Sequence, residues 1–211
     1  MSTETLLIIG AGGHAKVVLD ALRCERSANF GCQLADDDVS LSGKELMGVA
    51  IMTPVSPALC PGQAFHIAIG NNAIRERVAC DCLKSGMLYE TVKHPRSICA
   101  SSATIAQGCF VAAGAVVSAE ATIAEGGIIN HGAVVDHDCV LDSFCHVAPN
   151  ATLSGGVKLG KRVLIGSGAN ILPGVSIADD CIIGAGAVVL HDLPAGSIYA
   201  GVPANRISGI K

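Results

Sequence analysis

Three histidines fall within sixteen residues of one another, His131, His137 and His146, and the middle one sits between two carboxylates, Asp136 and Asp138. Carboxylates beside an imidazole orient the ring and raise its basicity. An imidazole held this way suits general-base work, such as taking the proton from an amine as its nitrogen attacks an acyl carbonyl. No Ser-His-Asp or Cys-His nucleophile pattern accompanies it, so direct transfer in a ternary complex is expected rather than an acyl-enzyme.

A second constellation lies near the N-terminus. Leu6-Leu7-Ile8-Ile9 reads as a buried strand, and it enters Gly10-Ala11-Gly12-Gly13-His14-Ala15. A helical pattern follows, with Val17, Val18, Ala21 and Leu22 on one side. Strand, glycine-rich turn and helix present backbone N–H groups and a helix N-terminus to phosphate. Gly10-x-Gly12-x-x-Ala15 also fits the dinucleotide fingerprint with alanine in third place. Asp36-Asp37-Asp38 comes about 20 residues later, where an acidic residue meets a ribose or a base; a solvated turn is the plainer alternative.

The elements that must position these groups are of two kinds. Phe65 to Ile69 reads as a further strand ending in Gly70-Asn71-Asn72, followed by a helix over 73–84 that Gly86 stops. Ile74, Val78 and Leu83 are its expected apolar face. Alternating strands and helices make residues 1–95 a Rossmann-like α/β domain with a largely parallel sheet, and His94-Pro95 marks its end.

From Ile105 to Val189 every sixth residue is Ile, Val or Leu, fifteen positions without a break. A second series runs four residues behind each, from Cys109 and Ala115 to Cys181 and Ala187, filled by Ala, Cys, Gly or Val. A period of six fits neither a helix nor a flat strand. It fits a coil of short strands joined by tight turns, with both series pointing inward and three hexads to each triangular turn. Fifteen hexads give five turns, in a domain over 96–195 with a tail over 196–211. Each of the three histidines falls off the inward positions, so each faces outward. His131 shares the offset of His137 one face earlier, His146 reaches a common ligand only across an edge, and His191 is read as incidental. A surface or interface histidine is the plainer alternative for all of them. Small residues such as Gly155, Gly166, Ser167, Gly184 and Ala185 leave backbone amides open to a long, thin pantetheine arm.

Composition narrows the rest. The 211 residues are half hydrophobic, with 25 Gly, no Trp, two Tyr and four Phe, which suits a thin, regular interior. A net charge of −4 with no basic run argues against nucleic acid or an anionic membrane as partner. Met1-Ser2-Thr3-Glu4 leads into no signal-like apolar segment, and no run approaches a spanning length, so a cytoplasmic chain with reduced thiols is expected. Of ten Cys, Cys109, Cys139, Cys145 and Cys181 fall at the inward position and are read as packing. Cys80-Asp81-Cys82, inside a helix, points its thiols apart, and no metal is expected.

Four segments together carry a resemblance. They are Ile9-Gly10-Ala11-Gly12-Gly13-His14-Ala15-Lys16-Val17, then Ile69-Gly70-Asn71-Asn72 with Arg75, then Asn130 to Cys139, and Gly201-Val202-Pro203-Ala204. The chain resembles the hexapeptide-repeat sugar acetyltransferases of the sialic-acid and bacillosamine type. The resemblance implies a left-handed parallel β-helix and a homotrimer with acetyl-CoA between neighbouring prisms. It implies His137 as general base, Asp138 as the residue that tunes it, and His146 in contact with acetyl-CoA or the acceptor amine. Gly10, Gly12, Gly13 and His14, with Asp36 and Asp37, would hold the nucleotide of a sugar substrate, alongside Gly70 and Asn71 of the second motif. Gly155, Ser167 and Ala185 would lie along acetyl-CoA. The reaction that the resemblance fits best is N-acetylation of a UDP-linked 4-amino-4,6-dideoxy sugar, with GDP- and dTDP-linked amino sugars as the acceptors of similar sequences. Three rivals stand beside it: O-acetylation of a sialic acid or another hydroxyl, nicotinamide-dependent oxidoreduction at the Gly10 turn, and a scaffold that binds no acetyl-CoA.

Overall fold

The computed structural model describes residues 5–25 and 31–207. The opening Met1-Ser2-Thr3-Glu4 segment and the end of the expected tail, 208–211, lie outside the described residues. The chain divides into two compact units between Pro95 and Arg96.

In the first unit, β1 (Leu6–Ile9), β2 (Cys32–Ala35), β3 (Glu45–Leu46), β4 (Val49–Met52), β5 (Ala64–Ile67) and β6 (Leu88–Tyr89) form one sheet. Its order is β3-β4-β2-β1-β5-β6, and β3 alone runs antiparallel to its neighbour. All four residues of β1 are buried, as a central parallel strand covered on both faces requires. Helix α1 (Gly13–Glu25) buries Ala15, Val18, Leu19, Ala21 and Leu22, and Val17 is only half-buried. Helix α2 (Asn72–Lys84) corrects the expected apolar face. It buries Arg75, Ala79 and Cys82, while Ile74 is 40% exposed. The rotation follows from Arg75, whose guanidinium donates to the carbonyls of Ile69 and Gly70 and to Asn72 Oδ1 beneath the helix start.

The second unit is a parallel β-helix of two-residue strands on three faces. Face 1 carries Phe110–Val111, Ile128–Ile129, His146–Val147, Leu164–Ile165 and Ile182–Ile183. Face 2 runs from Ile98–Cys99 through Val134–Val135 to Val188–Val189, and face 3 from Thr104–Ile105 through Val140–Leu141 to Ser176–Ile177. Between Ile98 and Val189 each strand's partner lies eighteen residues on, as in Val116, Val134, Thr152 and Asn170. Three hexads per turn follow directly. Both inward series are sealed in the core, with only the outermost coil member, Ile105, partly buried.

The four inward cysteines are packing residues with one further duty. Each thiol donates to a carbonyl fifteen residues on: Cys109 to Ala124, Cys139 to Ser154 and Cys145 to Gly160; Cys181 reaches Pro194 after thirteen. Burial pushes the Cys139 and Cys181 thiols above their ordinary range, which keeps them protonated and inert.

The expected tail from 196 is not a free tail at its start. Ile198–Ala200 pairs in parallel with Ile182–Ile183, buries Tyr199 in the prism, and is itself capped by antiparallel Asn205–Arg206. The six-residue pattern lapses after Val189, so this added strand carried no periodic signal. No helix among the described residues is long and apolar enough to cross a membrane.

Candidate functional site

His137 and Asp138 form the turn between faces 2 and 3. The second residue of these turns takes a left-handed backbone; Asp138 has φ 59°, a conformation Asp tolerates better than most residues. That twist folds the Asp138 carboxylate back onto its neighbour: His137 Nδ1 lies 2.7 Å from Asp138 Oδ2. Asp136 accepts the His137 backbone N–H at 2.7 Å and fixes the turn from the other side. Because a carboxylate can only accept, Nδ1 carries the proton and Nε2 presents its lone pair. The Asp138 hydrogen bond, and then the negative charge of Asp136, raise the His137 pKa above its ordinary value. Both side chains are well exposed, so the ring is not tucked into the prism.

Gly155 stands one coil beyond His137 at the same corner. A methyl group there would come within 2.5 Å of Cε1 and Nε2 of the imidazole. Its role is therefore to leave room for the base. Ser167 and Ala185 occupy a different corner, that between faces 1 and 2, where the Gly186 N–H donates to the Ser167 carbonyl. His131 lies on this same corner, eighteen residues before Pro149, and is exposed.

His146 is on face 1, outward and half-buried. Asn130 beside it is buried, a residue of the third motif whose role spacing alone does not show. Its Oδ1 accepts the His131 backbone N–H at 2.9 Å, which turns its amide nitrogen toward His146 Nε2 at 3.2 Å. An amide nitrogen only donates, so Nε2 of His146 accepts and the proton sits on Nδ1. Two groups thus form on opposite sides of one prism: His137, Asp138 and Gly155 on one corner, Asn130 and His146 on the face across from it. Face 3, which leads away from the His137 corner, carries an open apolar groove of about 740 Å³ walled by Val140, Leu159, Lys158, Ile177 and Leu193.

In the first unit the carboxyl ends of β1, β2 and β5 bring together the predicted substrate-binding segments. Gly10 has φ 104°, and a Cβ on it would come 2.8 Å from the Ile69 side chain and 3.0 Å from the Ala68 carbonyl, so the glycine turn and the Ala68–Gly70 loop lie against each other. Gly12 and Gly13 face open space, and His14, half-buried, follows at the start of α1. The acidic run serves the loops themselves. Asp36 accepts from the N–H of Ala11 and of Asp38, Asp37 from that of Val55, and Asp38 from that of Ser40. Asn71 caps α2 by accepting from Ile74 N–H. These contacts set the shape of the crevice, and each carboxylate keeps further acceptor capacity. His66 is a core histidine that sequence pattern did not single out: it lies 2.9 Å from the Glu90 carbonyl through Nδ1, and burial drives its pKa down to about 4.

Comparison with known proteins follows the same division. Residues 5–82 match the PglD N-terminal domain, and residues 156–191 the bacterial transferase hexapeptide model of six repeats. The chain is 31% identical, over 95% of both sequences, to GDP-perosamine N-acetyltransferase of Escherichia coli O157:H7. A histidine-to-asparagine mutant of perosamine N-acetyltransferase from Caulobacter crescentus, solved with CoA and GDP-perosamine, is similar at 35% identity and TM-score 0.88, covering 97% of each chain. The acetyltransferase domain of PglB from Neisseria gonorrhoeae FA1090, solved with acetyl coenzyme A, is similar at 35% identity and TM-score 0.88, covering 98% of this chain and all of that one.

Proposed function

This chain belongs to the hexapeptide-repeat sugar N-acetyltransferases that carry a PglD-type N-terminal domain, and from that premise we propose that it acetylates the 4-amino group of a nucleotide-linked 4-amino-4,6-dideoxy sugar with His137 as general base. It is an acetyltransferase that draws on acetyl-CoA. The observation that carries the assignment of the base is the 2.7 Å contact of His137 Nδ1 with Asp138 Oδ2, which leaves Nε2 as the proton acceptor.

In this reading the sugar amine attacks the thioester carbonyl. The new C–N bond forms as His137 Nε2 takes the amine proton, and the C–S bond then breaks. The imidazolium, steadied by Asp138, returns the proton to the departing CoA thiolate. Asp138 positions and tunes the base without becoming the acid itself.

His146 joins this chemistry only through a second copy. His137 and His146 lie on opposite sides of one prism, so a single ligand meets both only where the face of a neighbour seats against the His137 corner. The apolar groove on face 3 offers a surface for such packing. A homotrimer, closed by three such contacts, supplies three equivalent sites in which acetyl-CoA lies between prisms. Gly155 lies on the base's side of that cleft, and Ser167 and Ala185 on the side of His146.

The nucleotide is held by Gly10, Gly12, Gly13 and His14, at the open helix start, with Gly70 and Asn71 opposite and Asp36 and Asp37 shaping the floor. Sequence resemblance favours a uridine nucleotide, and relatives named for GDP-perosamine support a guanosine nucleotide as the alternative. Purified protein with acetyl-CoA and a panel of UDP- and GDP-linked 4-amino sugars, set against their 4-hydroxy counterparts, tests the reading. Transfer to the amines alone is expected; preferential acetylation of hydroxyls overturns it in favour of O-acetylation.

A further inference from the structure

In the last two turns of α1 the structure gathers three donors of different kinds. A ligand atom from the Asp20 carboxylate, one from the Cys24 thiol and one from the His94 imidazole all lie within 4.8 Å of one another. We propose that Asp20, Cys24 and His94 form a binding site for a divalent transition metal of zinc type.

The spacing is built by two elements. Asp20 and Cys24 are four residues apart on α1, which stacks them on one face of the helix. His94 follows directly on the strand Val92–Lys93, which packs along α1, and its residue is 7% exposed, so its ring is held in place. Asp20 and Cys24 are exposed, and neither side chain has a hydrogen-bond or ion-pair partner among the described residues. Two exposed donors thus face one buried donor.

Chemistry selects the ion. Oxygen, nitrogen and thiolate sulfur together suit zinc and its neighbours and disfavour magnesium or calcium. Zinc–ligand bonds of about 2.0–2.3 Å need donor atoms roughly 3.3–3.8 Å apart. Binding therefore requires the two exposed side chains to draw in from the observed separation of up to 4.8 Å. Three protein ligands leave a fourth tetrahedral position for water. The site is separate from the nucleotide crevice: Cys24 lies eleven helical residues beyond Gly13, about 16 Å along the axis. It joins the end of α1 to a strand seventy residues later, and the bound ion stabilises that link by mass action. Acetyl transfer does not depend on it.

Full-length protein stripped by a chelator and titrated with Co2+ tests the site. One equivalent should develop a thiolate-to-cobalt charge-transfer band in the near ultraviolet together with tetrahedral visible bands, and Zn2+ should displace it. Cys24→Ser should abolish the charge-transfer band, and Asp20→Asn should shift the Co2+ titration to higher metal concentration, with circular dichroism and acetyl transfer unchanged in both. Zn2+ should raise the Tm of the wild type and not of Cys24→Ser. Absence of a stoichiometric band, or a band that persists in Cys24→Ser and so belongs to another cysteine, overturns the proposal.

Discussion

The imidazole of His137 rests against Gly155, the residue one full coil further on, so closely that a single methyl group there would come within 2.5 Å of Nε2. The base and its clearance are built by the same eighteen-residue column, and a change at 155 therefore acts on the chemistry without touching the core. Gly155→Ala should fold with unchanged Tm and lose turnover roughly 100-fold, the scale of an angstrom-sized misplacement. Steady-state kinetics beside a melting curve check both halves; undiminished turnover would show that the ring is free to act from elsewhere.

Removing the base itself should be more severe. His137→Ala should lower kcat by about 10²–10⁴-fold with a small change in KM for either substrate. Both side chains of the dyad are exposed, so stability should scarcely move, and circular dichroism separates that outcome from misfolding.

The pH profile follows from the direction of the His137 shift. A raised pKa means the ring holds its proton to higher pH, so the active, neutral form accumulates only above the ordinary histidine value. The rate should rise with pH and level off above that raised value. Asp138→Asn removes the largest cause of the shift, so its inflection should move to lower pH while its plateau falls. An inflection unchanged by Asp138→Asn would detach the pH dependence from this dyad.

Asn130 sets the proton of His146 through an amide that only donates. Asn130→Asp keeps the bond to the His131 N–H but presents an acceptor to His146, which must then carry its proton on Nε2. Turnover should fall about tenfold or more, in proportion to a lost oriented donor. NMR of labelled histidine side chains should show the tautomer change; a wild-type spectrum would remove Asn130 from this role.

Sharing of the site between copies predicts complementation. Co-expressed His137→Ala and His146→Ala subunits should regain activity that neither shows alone, up to about a quarter of wild type for random mixing in a closed ring. Activity confined to the sum of the two parents would place a complete site within one chain.

The six-residue period was legible because each hexad meets the same neighbours eighteen residues away, and local spacing therefore repeats the tertiary contact. It told which residues fill the prism, that Cys109 and Cys139 are packing, and that His137 faces outward between two carboxylates. The glycine turn was equally legible, since Gly10 needs a backbone that other residues resist. Three-dimensional proximity decided the rest. The order of strands around β1 brings Asp36 against the Ala11 N–H, so a carboxylate expected for ligand also braces the turn. Arg75, reaching back to Ile69 and Gly70, rotates α2 and overrules its apolar pattern. The meeting of Asp20 and Cys24 with His94 likewise depends on contacts between segments distant in the chain. A one-dimensional pattern records the period of such contacts only when they repeat, and these occur once.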